Sequence, residues 1–155
     1  MFALCCEYSY PNLEIHCSSL RVFVSADAIS AVGTATTDYS DQCINLAMAA
    51  RDVGKGQQLY AVIVVTETFV PDSTVGTVTF HLVEDVNTTI TSGAVVLLST
   101  EAFVTTTIAI GRAPIVIPVP SSVALQYLGM SCTFSEDLTD GTIDAFLTTD
   151  VQTNV

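Results

Sequence analysis

Residues 59–65, LYAVIVV, form a run of seven uncharged residues, rich in Val and Ile and entered through Gly54 and Gly56. Branching at Cβ stiffens these side chains and fits them to a pleated strand better than to a helix. The run is also strand-sized, well short of an ordinary helix. A seven-residue segment with no polar alternation implies a strand buried on both faces, or one in the middle of a packed sheet. The rest of the chain must then supply what covers it.

The surroundings suit that demand. Twenty-one threonines stand against four Lys plus Arg, and hydrophobic residues make up 50% of the 155. Such a chain lacks the surface helix formers Lys, Glu and Arg, so strands are expected nearly throughout. A chain this long can bury roughly 70% of its unfolded surface, enough for one ordinary core.

A net charge of −12 sets exclusions. Nucleic-acid affinity comes from cations neutralising phosphates, and only Arg21, Arg51, Lys55 and Arg112 could do so. Direct binding of nucleic acid is not expected, nor is binding to a membrane, since no apolar run reaches about 18 residues. The opening MFALCCEYSYP has no basic start and meets Glu7 early, unlike a secretion signal. Synthesis in the cytoplasm is the expectation.

Five cysteines, Cys5, Cys6, Cys17, Cys43 and Cys132, are read as free thiols. A zinc site from Cys5, Cys6, His16 and Cys17 fits poorly, because adjacent side chains in extended chain point to opposite faces. No cofactor is expected.

Residues 1–20 mix Phe2, Tyr8 and Tyr10 with polar residues and show no sustained period. They are read as an arm, packed on its own domain or reaching a neighbouring subunit, ahead of a single domain over 21–155. Residues 21–25 open that domain as a short strand. NLAMAARD, residues 45–52, is the one helix-like run. Gly54 and Gly56 suggest a turn rather than a phosphate cradle, since a dinucleotide fingerprint lacks its third glycine here. Residues 77–83 alternate Val78, Phe80 and Leu82 with Thr77, Thr79 and His81, the period of a half-buried strand. His81 falls on the threonine face, with nothing beside it in sequence to make it a catalytic base. Residues 94–100 form another strand. Pro114, Pro118 and Pro120 place the next piece at a sheet edge. Residues 125–134 carry apolar residues on both faces. Asp140 and Gly141 suggest a hairpin turn into a closing strand, TIDAFLTT.

Glu136, Asp137, Asp140 and Asp144 near that turn do not match a calcium loop, and read as a solvated acidic tip. No nucleophile elbow is present. Enzymatic activity is not expected, and no catalytic, metal or cofactor residues are assigned. About eight strands with little helix describe an all-β protein, an antiparallel β-sandwich of jelly-roll or Greek-key topology.

Several of these segments together carry a resemblance: INLAMAARDVGKGQQLYAVIVVTETF, then GTVTFHLVED, LQYLGMSCTF and GTIDAFLTTD. Arg51, Asp52, Gly54 and Gly56 leading into Leu59 and Tyr60 are its most telling part. From about Val22 to the end the chain resembles the Bbp16-type capsid cement proteins of tailed bacteriophages; the first twenty residues depart from the pattern.

That resemblance implies a jelly-roll decoration protein on the exterior of the virion capsid. Its partners would be the major capsid protein of an HK97-type icosahedral shell and a second copy of itself, as a homodimer. With so few cations, Arg21, Arg51, Lys55 and Arg112 are the first candidates for meeting acidic coat residues, together with Phe2, Tyr8 and Tyr10 of the arm. A carbohydrate-binding or adhesive β-module on the virion surface is the rival reading, with Tyr8, Tyr10, Tyr39 and Phe69 as its candidate aromatics.

Overall fold

The computed structural model describes residues 24–26, 37–40, 43–47, 49–52 and 56–149. In chain order their strands are β1 (Val24–Ala26), β2 (Thr37–Tyr39), β3 (Ile44–Asn45), β4 (Arg51–Asp52), β5 (Tyr60–Pro71) and β6 (Thr77–Asp85). After these come β7 (Val95–Ser99), β8 (Phe103–Val104), β9 (Ile115–Pro118), β10 (Ser122–Val123), β11 (Tyr127–Phe134) and β12 (Leu138–Thr148). One 3₁₀ turn, Thr105–Thr107, is the only helical element among the described residues. The protein is all-β.

Two antiparallel sheets face each other. The first runs β1-β12-β5-β9 and the second β2-β11-β6-β7, with β3 also pairing β11 and β8 also pairing β6. A separate ribbon joins β4 to β10. The apolar run is central as expected: β5 pairs β12 on one side and β9 on the other. Ala61, Ile63 and Val65 enter the inter-sheet core, while Val62 is buried on the opposite face.

Alternation builds the facing sheet. Val78, Phe80 and Leu82 of β6 and Leu128, Met130, Cys132 and Phe134 of β11 point inward. Phe69 of β5 meets Phe80 edge-on at 6.3 Å between ring centroids, and lies 6.1 Å from Phe134. These rings stitch the two sheets, each fully buried side chain contributing about 1.5–3 kcal/mol. Phe69 is therefore core and is withdrawn as a sugar platform.

Two further expectations fail. Residues 45–52 are not a helix: Ala47 (φ 67°) and Ala50 (φ 54°) both adopt the left-handed region. The Asn45 side chain accepts from the Ala47 amide at 2.8 Å, while the Leu46 and Ala50 amides donate to Gln126 O and Ala124 O. Bonds to the neighbouring segment replace the i to i−4 bonds a helix requires. Nor is Asp140–Gly141 a hairpin turn. β12 passes straight through it with register shifts, and its partner β5 lies in the other sheet from β11. The shifts act as bulges, and Gly141 (φ 141°) sits where a Cβ would come within 3.0 Å of the Phe69 ring.

Candidate functional site

The crevice between the sheets, lined by Ile44, Ala61, Leu82, Leu128, Met130 and Leu147 among others, offers about 10 Å³ and is almost wholly apolar. That is room for a single water and no substrate. Among the described residues, no three of His, Cys, Asp and Glu gather to hold a metal, and no helix is long and apolar enough to cross a membrane. The candidates are surfaces.

The first surface is the outer face of the second sheet. A polar row crosses β7, β6, β11 and β2: Ser99 Oγ to His81 Nδ1 at 2.7 Å, His81 Nε2 to Thr133 Oγ1 at 3.0 Å, and Thr133 Oγ1 to Thr37 Oγ1 at 3.1 Å. Partial burial pushes the His81 pKa below its ordinary value, favouring the neutral ring. A neutral imidazole with one N–H and one lone pair suits two hydroxyls, which donate or accept as needed. With hydroxyls on both sides and no carboxylate to orient it, His81 ties strands together.

The loop 86–94 then folds down onto this face. Ile90 is buried over Gly129, where an added Cβ would meet Ile90 Cγ1 at 2.7 Å. Asp85 holds the loop's start, its Oδ1 accepting from the Asn87 amide and side chain at 2.9 and 3.0 Å. Those donors, the backbone amide first, keep its carboxyl below the usual range. Cys43 donates to Thr88 O from the other side, and burial, then Asp85, raises its thiol pKa. Cys132 is raised further by complete burial. Neither thiol is poised for reaction. Glu84, also buried, accepts from the amides of Ala124 and Leu125 at 2.8 and 3.0 Å, fixing the approach to β11.

Arg112 is the candidate cation whose side chain lies within the described residues. Its guanidinium carbon lies 4.7 Å above the Phe103 ring, and Nη1 donates to Thr107 O at 2.9 Å. Gly111 turns the chain at φ 84° to allow this. The side chain thus braces the 103–112 corner while remaining half-buried at the surface. Arg51 lies in β4, whose backbone pairs Val123. Arg21, Lys55, Phe2, Tyr8 and Tyr10, the whole 1–20 arm and the Cys5, Cys6, His16, Cys17 set lie outside the described residues.

The expected acidic tip is partly embedded. Glu136, Asp137 and Asp140 are each half-buried, and the Asp137 carbonyl accepts from the Asp72 amide at 2.9 Å. The strand expected over 94–100 is β7, but the sequence reading did not place it at a sheet edge, where Val95 and Val96 are 49% and 52% exposed. Charge distribution carried the signal: residues 86–100 contain no charged side chain.

The Bbp16 family model matches residues 23–147. The chain belongs to the Bbp16 family. No curated protein matches the sequence. Family membership makes this a phage structural protein. The match takes in β1 through nearly all of β12 and stops short of the first twenty residues.

Proposed function

We propose that this Bbp16-family protein is a capsid cement protein, bound to the exterior of an icosahedral HK97-type shell and bridging neighbouring coat subunits. The observation that carries the reading is the family match across 23–147, which spans both sheets. The strand order supports it. Taking β2 with β3 and β7 with β8 as split strands, and setting the β4–β10 ribbon aside, eight strands remain. One sheet then reads first, eighth, third, sixth, the other second, seventh, fourth, fifth, which we read as a jelly roll.

A cement works without chemistry. It needs separate surfaces that engage different subunits, so that individually modest contacts gain strength through effective concentration. Interlocked sheets provide stiffness, and an acidic exterior keeps the unbound protein soluble. The partners are the major capsid protein and a second copy of the chain, with no direct nucleic-acid or membrane contact and no enzymatic role. Adding purified protein to undecorated shells tests this: shells with the protein should withstand heating or osmotic shock that opens bare ones. Equal fragility with and without it contradicts the proposal.

A further inference from the structure

We infer that the flank built by β7 and the loop 86–94 is where a second copy of this chain docks. The inference rests on the self-association in the proposed function and adds its location. Sheet edges are the natural joining points, because they present unpaired backbone groups. Among the described residues, the edge strands β1, β2 and β3 span three, three and two residues. β9 spans four and carries Pro118, with Pro114 and Pro120 flanking it. β7 is five residues long, VVLLS, with neither proline nor charge, and no described strand pairs its outer side. Among the described residues it is the least protected edge of the sandwich.

Charge selects the occupant. Two copies at −12 each repel, so they meet at least cost where neither exposes a carboxylate. β7 and the loop 86–94 contain no charged residue, the two carboxylates of β6, Glu84 and Asp85, are buried, and the nearest exposed carboxylate along the chain, Glu101, lies past the end of β7. A cationic partner would instead seek the acidic regions. Antiparallel pairing of one β7 with another is also self-complementary, as a two-fold interface requires. A stable dimer takes about 800 Å² from each copy. An edge of about 17 Å cannot supply that alone, so the uncharged loop 86–94, which exposes Val86, joins the contact. A register shift against β6 leaves Leu97 as a bulge and confines the exposed apolar part to Val95 and Val96.

Sedimentation of the full chain over a concentration series, with Val96→Glu and the control Val116→Glu, tests this. Val116 lies in β9, the edge strand of the facing sheet, with an exposure of 39% against 52% for Val96. The wild type and Val116→Glu should dimerise alike, and Val96→Glu should dimerise at least tenfold more weakly with an unchanged melting temperature. Hydrogen exchange at residues 95–96 should slow in the wild type as concentration rises, a readout independent of any variant. A wild type that stays monomeric overturns self-association and the inference together. Wild-type dimerisation by folded Val96→Glu, with no exchange protection at 95–96, overturns the location alone. So does a variant that keeps its dimer but no longer binds shells, which assigns the flank to the coat.

Discussion

Gly129 has no room for even a methyl group. It lies in β11 beneath Ile90, and a Cβ there would also come 3.0 Å from Ser40 Oγ. Gly129→Ala should lift the loop 86–94 and cost about 1–3 kcal/mol, read as a lower urea midpoint with an unchanged slope. Glu84 is sensitive for a different reason. Removing its carboxylate in Glu84→Ala strands the Ala124 and Leu125 amides, a loss of about 1–3 kcal/mol. For His81 the effect depends on pH. Its folded pKa is lowered, so the unfolded chain binds the proton more readily. Stability from this residue is complete above the ordinary histidine pKa and falls as pH drops through it toward the lowered folded value. Thermal melts between about pH 7 and pH 5 should show a decline that His81→Gln reduces. An identical decline in the variant would remove His81 as the cause. Asp85 acts in a lower window, its contribution lost only as pH falls through its depressed carboxyl pKa.

Among the elements, the misread stretch 45–52 gives a prediction of opposite sign for the two interpretations. If residues 47–50 were helical, Ala47→Gly would cost about 1 kcal/mol. With Ala47 at φ 67°, the left-handed region penalises its Cβ, and the same change should stabilise by up to about 1 kcal/mol. A urea titration decides between them. This also shows what was legible. β6 announced itself because its apolar residues recur with the spacing of a strand, which the pleat enforces whatever the partner, and β5 because an uncharged, β-branched run of seven is strand-sized. The path of 45–52 depends on carbonyls of Gln126 and Ala124, some eighty residues away, and no local pattern encodes it. Asp140–Gly141 misled similarly. Its composition is that of a turn, but a bulge wants the same freedom, and only the pairing with β5 distinguishes them. The 103–112 corner is likewise not encoded locally, because Arg112 and Phe103, nine positions apart, together define it.

At the scale of the molecule, the sequence could specify an all-β sandwich because two sheets of alternating strands bury one another, whereas a docking surface leaves no periodic trace. The surface candidates chosen from sequence were the rare cations. Of these, Arg112 is engaged with its own corner, so Arg112→Glu should loosen that corner as well as weaken coat binding. A shell-binding defect in that variant counts only beside an unchanged melting temperature. The wider claim is that a rigid, acidic jelly roll serves as an external clamp. Its most direct test is to mix purified protein with undecorated shells of its own phage, pellet the shells, and count copies bound per coat subunit. Saturation at a fixed ratio, on the outer surface and without added cofactor, is the predicted result. Protein that remains in the supernatant at every concentration would contradict the account.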